Sequence, residues 1–377
     1  LIAKYQPDIL WFDTPHKLPL SENIRILQSI RAADSRVLVN GRLARNPELN
    51  FGDYINTADR PAEFYPVNGD WEAIPTTNES YGYHKFDSSH KSPAHFIRLL
   101  ASAASRGGNL LMNVGPKGDG SLDRRDTMIL SEIGKWMSRY GESIYGTSAT
   151  PLAPQSWGTS TLKKDRLYLH VFDWPANGRL VVGGLKTGVS RAWIVGTKHV
   201  LPFRRINELD VVIDVPAARP DPANTVIALE LEGPLATDPA RLLSGTAKHR
   251  LLAFDAVLKG DGFRFGDGKT LKYFVESWTS KDQSLSWAVR LTTPATFNLI
   301  LKYLPEFGGG GSVRVLVNGT PVLEPASITA NGTEIMDKNM GTLSLPAGDH
   351  TLSLVPIDIN GVALMKVLEV NLNPHAR

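Results

Sequence analysis

The chain has 377 residues, 42% hydrophobic and 21% charged, an ordinary globular balance and enough length for two or three domains. It has no cysteine, which excludes disulfide scaffolds, thiol nucleophiles and Cys-based zinc sites. Its net charge of +3 comes from scattered lysines and arginines, not from the clustered face of a nucleic-acid binder, and no apolar run approaches the about 20 residues of a membrane-spanning helix. Neither nucleic acid nor a membrane span is therefore expected. No signal peptide is visible, but a cysteine-free composition fits an exported bacterial protein, and a periplasmic or secreted location is the expectation.

Residues 1 to about 150 alternate strand and helix patterns. Ile9 to Asp13 reads as a strand in which apolar residues lead to one carboxylate and Thr14-Pro15 turns the chain at once, as where a buried parallel strand delivers an acid to a barrel mouth. Ser21 can cap a helix bearing Ile24, Leu27 and Ile30; Val37 to Asn40 is a short buried strand; a long polar and aromatic loop runs from Gly41 to about Asp70. Trp71 to Thr77 supplies a third strand. Ser92-Pro93 opens a helix with Phe96, Leu99, Leu100 and Ala103 on one face. Asn109 to Val114 is a fourth strand, and Asp123 caps a helix carrying Ile129, Ile133, Trp136, Met137 and Tyr140, stopped by Gly141. Four such units make half of an eight-unit barrel, with two open sheet edges and an uncovered core.

After Thr150 helical periodicity almost vanishes. Arg166 to Val171, Val211 to Val215 and Val226 to Leu231 alternate as short strands of a small sandwich, residues 233 to about 247 read as a linker, and a second β module follows. Within it Val313 to Val317, Asn318-Gly319 and Thr320 to Leu323 form a hairpin signal, and Gly308 to Gly311 a flexible loop tip. The expected fold class is α/β plus all-β: a C-terminal half of a (β/α)8-like barrel over residues 1–150, a small β-sandwich over 151–233, and a second β-sandwich over 248–377 that can bind carbohydrate.

Retaining glycoside hydrolysis needs two carboxyl groups about 5–5.5 Å apart, one attacking the anomeric carbon and the other serving as acid, then base. Asp13 is the candidate nucleophile; the plain alternative is a turn or capping aspartate. His84, His90 and His95 lack the spacing of ligands on one helix face, so no metal site is expected. Gly115 to Gly120 lacks the ending of a phosphate loop, and no Gly-x-Ser-x-Gly elbow supports a serine hydrolase. Asn78, Asn318 and Asn331 open formal glycosylation triplets that are common by chance.

Five segments carry a resemblance: Val39-Asn40-Gly41-Arg42, Gly52-Asp53-Tyr54, Asp70-Trp71-Glu72, Ser80-Tyr81-Gly82-Tyr83, and Gly107-Gly108-Asn109 through Val114-Gly115-Pro116. With the strand ending at Asp13 they resemble, in the right order, the motifs of the α-L-fucosidases of glycoside hydrolase family 29. The resemblance covers the barrel half and says nothing of the β modules. It implies a retaining exo-α-L-fucosidase that cleaves terminal α-L-fucosyl linkages of an oligosaccharide or glycoconjugate through a covalent fucosyl-enzyme, without a cofactor. It further implies that the chain begins halfway through its catalytic domain and needs an N-terminal segment of the same enzyme as partner.

Carried over, the resemblance makes Asp13 the nucleophile and Arg42 a fucose or nucleophile contact, with Trp11, Trp71 and Tyr81 against the sugar; for Trp71 and Tyr81 the ordinary alternative is core packing. The family varies in its acid/base. Glu72 is favoured here, because a strand-borne residue beside Trp71 can be desolvated, which suits a carboxyl to acid catalysis. Asp59 is the alternative, in a segment that departs from the family's Thr-Pro-Glu, and Glu63 and Glu79 are further options. Two other readings stand beside this one: a carbohydrate-binding fragment using Tyr273, Trp278, Trp287 or Tyr303, and a barrel glycosidase for another sugar.

Overall fold

A computed structural model describes residues 1–46, 49–197 and 199–375. The fold is mostly sheet with few helices. Its first part runs α1 (Ile2–Tyr5), β1 (Ile9–Leu10), α2 (Leu20–Ala33), β2 (Leu38–Val39), β3 (Ile55–Asp59), β4 (Trp71–Ile74), α3 (Pro93–Ser105), β5 (Gly108–Leu110) and α4 (Arg124–Tyr140). All five strands are parallel and lie side by side in chain order. β1 pairs with β2, a bridge from Asn40 to Tyr54 joins β2 to β3, and β3, β4 and β5 form a three-stranded sheet.

Local chemistry explains most of these elements. Ser92 accepts the backbone N–H of His95 and Pro93 occupies the first helical position of α3, whose Phe96, Leu99 and Ala103 are buried. Asp123 caps α4 through Arg125 N–H. The α-helix α4 ends at Tyr140 with Gly141 as its C-cap, as expected, and Gly141 stays right-handed and opens a 3-10 turn. Three expectations are corrected. Ser21 caps nothing, because Pro19 holds the cap position of α2. Regular pairing of β1 ends at Leu10, short of Asp13. The supposed loop from Gly41 to Asp70 contains β3.

The next seven strands are β6 (Gly158–Lys163), β7 (Arg166–Val171), β8 (Arg179–Gly183), β9 (Val189–Ile194), β10 (Phe203–Arg205), β11 (Asp210–Asp214) and β12 (Thr225–Leu231). They form a four-stranded sheet β6-β7-β12-β9 and a three-stranded sheet β10-β11-β8. One face of the four-stranded sheet shares an apolar core with the smaller sheet, through Leu167, Leu169, Val182, Ile213 and Ile227. Its other face carries Tyr168, Val226 and Ala228, which pack on Ile97 of α3 and on Trp136 and Tyr140 of α4. With both faces covered, consecutive residues from Leu167 to Val171 are all buried, and even the polar His170 among them is enclosed.

The remaining residues build two larger sheets around one core that includes Trp278, Trp287, Phe297 and Tyr303. Arg241–Leu243, inside the segment read as a linker, is a strand that pairs in parallel with Ser284–Leu291. The hairpin at Asn318-Gly319 forms with both residues at positive φ, 51° and 79°, as a type I′ turn requires. Gly308–Gly311 is more than a loose tip: a Cβ on Gly311 would lie 2.0 Å from the Asp358 carbonyl oxygen. Tyr273, Trp278, Trp287 and Tyr303 are all buried, with the indole N–H of Trp278 donating to Gln283 O and that of Trp287 to Leu252 O.

Charged pairs tie the parts together. Glu63 accepts from Arg250 at 2.9 Å, and Arg106 donates to Asp255 at 2.6 Å. Between the two β modules Arg290 makes a two-pronged contact with Asp210, one bond being 2.9 Å, and both side chains are buried. Asn207 and the Gly184 N–H donate to the same carboxylate. Burial pushes Asp210 up, but Arg290, Asn207 and Gly184 together outweigh it and hold the carboxyl below its ordinary 3.8. The contact therefore stabilises the fold above pH 3.8 and is lost as pH falls through the folded-state value. Asp210→Ala, which leaves a buried guanidinium unpaired, is expected to destabilise by about 3–5 kcal/mol. Denaturant melts over a pH series test both points: the gap between wild type and variant should be widest above pH 3.8 and shrink steadily as pH falls below it.

Candidate active site

The C-terminal ends of β1, β2 and β3 and the body of β4 bring the sequence-selected residues to one face. Asn40, just past β2, donates from Nδ2 to Phe12 O at 2.8 Å and accepts the Phe12 N–H at 2.7 Å. One side-chain amide thus replaces a strand partner and carries β1 in extended form to Asp13. Thr14 then turns in the left-handed region at φ 52°, and its N–H donates to the Asp13 carboxylate.

Arg42, in the turn after β2, donates from Nη1 to Asp13 Oδ1 at 2.9 Å and from Nη2 to Asp59 Oδ1. Its guanidinium also lies over the Trp11 ring, 5.3 Å from the centroid, and its side chain is only 13% exposed. Asp13 itself is 52% exposed, so the carboxylate stands on an open face and not in a closed hollow. Partial burial pushes its carboxyl up. The Thr14 N–H, the Arg42 hydrogen bond and the charges of Arg42 and Arg45 outweigh that and hold it below the usual carboxylate range, which keeps it ionised at neutral pH.

Glu72 sits opposite Asn56 in the β3–β4 register. Its Oε1 accepts from Trp11 Nε1 at 2.5 Å and from Asn56 Nδ2 at 2.6 Å, and the Tyr54 hydroxyl donates to the same carboxylate. Burial, together with the Glu72 charge and hydrogen bond, pushes the Tyr54 phenol up to about 12, so it remains a donor. Asn56 also accepts from Asn40 Nδ2 at 2.9 Å. The result is one connected array in which Trp11 joins the two halves: its ring meets Arg42, the partner of Asp13, and its N–H meets Glu72.

Trp71 is not on this face. It is 1% exposed, packs on Phe64 with ring centroids 5.1 Å apart, and belongs to a core with Ala73, Leu99 and Ala103. Successive strand residues point to opposite sides, so a Trp-Glu pair that aims Glu72 at the cleft must send Trp71 to the helices. Tyr81 is half-buried at the rim, with φ 60°; its hydroxyl donates to Ile74 O at 2.8 Å and the Arg60 guanidinium lies 5.3 Å from its ring centroid. Burial and the nearby Asp59 push its phenol up to about 12. Thr14, Arg60 and Tyr81 are all non-glycine residues at positive φ, beside or within the site, where strained backbone is retained for geometry.

The two remaining acid options are committed elsewhere. Glu63 faces Arg250 of the last module, and burial, opposed by that arginine, pushes its carboxyl up. Glu79 holds Lys91 at 2.6 Å and Arg60 at 3.1 Å, and the Lys91 hydrogen bond leads the effects that lower it. Among the described residues no group of three or more His, Asp or Glu is placed to hold a metal. His90 instead faces Asp126 at 3.3 Å.

Sequence reasoning gave no role to Asn40, Tyr54 or Asn56. The first two lie inside quoted motifs, so a signal existed; Asn56 had none. The same motifs also have structural duties. Asp53 accepts Val39 N–H at 2.6 Å and pairs with Arg31, fixing the end of β2. Asn113 donates to Tyr81 O, and a Cβ on Gly115 would fall 2.3 Å from the Gly82 backbone, so the last motif seats the Tyr81 loop.

Residues 1–142 match the family model described as alpha-L-fucosidase. Residues 1–142 are α-L-fucosidase-family sequence. The chain is 25% identical over 237 residues to the alpha-L-fucosidase of Dictyostelium discoideum, covering 58% of this chain and 51% of that protein. It is 26% identical over 231 residues to the human plasma alpha-L-fucosidase, covering 57% and 50%. It thus spans about half the length of these relatives. An alpha-L-fucosidase structure from Vibrio sp. strain EJY3 superposes with TM-score 0.77 over 100% of this chain and 68% of that one, at 23% identity, which speaks for the fold alone. An alpha-L-fucosidase structure of family 29 from Bacteroides thetaiotaomicron is 28% identical with TM-score 0.56, covering 62% and 59%; it is a covalent intermediate trapped with 2-fluoro-fucosyl fluoride using a Glu-to-Gln mutant.

In this fucosidase-family segment Gly108 has a specific reason to lack a side chain: a Cβ there would lie 2.2 Å from the Trp71 ring. Gly108→Ala is expected to push Trp71 and so displace Glu72 on the next residue, at about 1–3 kcal/mol in stability. A lowered melting temperature with a shifted tryptophan emission would bear this out; an unchanged spectrum would not.

Proposed function

We propose that this chain is the C-terminal part of a retaining exo-α-L-fucosidase, with Asp13 as nucleophile and Glu72 as acid, then base. The observation that carries the reading is the array in which the Thr14 N–H and a nearly buried arginine hold Asp13 ionised while Trp11 links that arginine to a second carboxyl. In the first step Asp13 attacks the anomeric carbon and Glu72 delivers a proton to the departing oxygen; in the second, Glu72 takes a proton from water, which releases fucose and restores Asp13. Arg42 faces two carboxylates. When Asp13 becomes an ester and loses its charge, Asp59 still neutralises the guanidinium, so the intermediate leaves no bare cation.

Glu72 is preferred over Asp59 because its donors are uncharged groups, whereas Asp59 is occupied by Arg42. That a Glu-to-Gln mutant served to trap the intermediate of the Bacteroides relative supports a glutamate in this role. Trp11, Arg42 and Tyr81 remain the proposed sugar contacts, and Trp71 supports Glu72 from behind.

The five parallel strands, one more than the four units read in the sequence, fit the C-terminal part of a (β/α)8-like barrel followed by two β modules, divided near residues 150 and 240. Ile9 and Leu38, 50% and 46% exposed on the paired β1 and β2, are the apolar positions an N-terminal half of the same enzyme would cover, and it would wall the open carboxylate face. The substrate is a fucosylated oligosaccharide or glycoconjugate. A carbohydrate-binding fragment is not favoured, since the four aromatics it would use are buried.

In the full-length protein, Asp13→Ala should abolish turnover of an aryl fucoside with the melting temperature retained. Glu72→Ala should lower turnover of fucosides with poor leaving groups by about 10²–10⁴-fold, with azide restoring it as an α-fucosyl azide, the retained product of azide attack on the β-linked fucosyl-Asp13. Rescue by azide in Asp59→Ala, with none in Glu72→Ala, would reverse the assignment.

A further inference from the structure

Beside the carboxylate array lies a basin of about 300 Å³ built jointly by the fucosidase-family segment and the last β module. One wall carries Arg60, Glu79 and Lys91, and the other Lys269 and Lys272. Arg60 belongs to both places: it follows Asp59, stacks on the Tyr81 ring, and lines the basin. The basin therefore begins where the proposed fucose wall ends.

The far wall is fixed by backbone. The Gly268 carbonyl accepts the N–H groups of Ala62 at 2.8 Å and Glu63 at 3.1 Å, and Pro61 and Lys269 form an antiparallel bridge. Gly268 is at φ 89°, and a Cβ there would sit 2.4 Å from Glu63 O. The segment carrying Lys269 and Lys272 is thus seated on the residues that follow β3.

The charges do not balance. Four cations, Arg60, Lys91, Lys269 and Lys272, line the basin with one carboxylate, Glu79, which already serves both Arg60 and Lys91. Lys269 has only a 3.4 Å contact with its neighbour Asp267, and among the described residues Lys272 forms no ion pair. Like charges gathered in a concave, partly desolvated site attract a ligand of opposite sign.

We propose that this basin is a subsite for the sugar to which fucose is attached, and that it selects a negatively charged substituent, a sulfate ester or a carboxylate, on that sugar. The inference rests on the fucosidase reading above. Its novelty is that the last β module, through Lys269 and Lys272, sets substrate choice.

The test compares three fucosides in the full-length protein: a neutral disaccharide, its counterpart with a sulfate on the second sugar, and its counterpart with a uronic acid there. The anionic substrates should be favoured in kcat/KM by about tenfold at low salt, the scale of two exposed ion pairs, and added salt should erode the ratio. The Lys269→Glu/Lys272→Glu variant should bring the ratio to about one or below. Preference for only one of the anions identifies which group is read. A wild-type ratio near one for both anions, or a ratio that survives in the variant, overturns the inference while leaving the fucosidase reading intact. If no fucoside is turned over, calorimetric binding of the sulfated second sugar alone decides: binding weakened by the variant upholds the basin, and no binding removes it.

Discussion

The guanidinium of Arg42 is the element on which the arrangement depends. It is nearly buried, it touches Asp13 and Asp59 at once, and it covers the Trp11 ring. Three strand ends are thereby set by one planar cation, because Trp11 and Asp13 follow β1, Arg42 follows β2 and Asp59 closes β3. A lysine could not do this: only a fork of fixed donors can serve two carboxylates while its face lies on an aromatic ring. The uncharged network of Asn40, Asn56 and Tyr54 completes the array by orienting Glu72 without adding charge.

The β modules are not passive appendages. Arg250 reaches from the last module to Glu63, and also donates to the buried Glu369 at 2.9 Å through Nε. Arg106 of the fucosidase-family segment reaches Asp255, and Arg98 donates to Ala223 O and Phe172 O of the middle module. Each contact places a charged head where it can pair only if the modules keep one relative position. The segment at Gly268 is docked by the same logic with backbone in place of side chains.

Legibility followed the source of each element's stability. Helices α3 and α4 could be read because cap residues and apolar spacing are local signals, and the hairpin at Asn318-Gly319 because its turn demands those residues. β3 was hidden: Asn56-Thr57-Ala58-Asp59 is polar since its side chains serve the site, and what holds it is pairing to β4 together with the Asn40 amide. Arg241–Leu243 was hidden for another reason, its parallel partner lying far along the chain. Motif order located Asp13, Arg42, Glu72 and Tyr81, but strand alternation alone sends Trp71 inward, and motif resemblance had obscured that.

The four-stranded sheet β6-β7-β12-β9 has a consequence for any attempt to dissect this chain. Because Trp136 and Tyr140 cover one of its faces, and the Trp136 indole donates to Asn224 O at 2.8 Å, residue 150 is a boundary in sequence pattern but not in the core. Cleavage there would bare a greasy surface on both pieces, so the helices and the sheet they cover form one cooperative unfolding unit. A protease or an engineer seeking a hinge would find none at that seam.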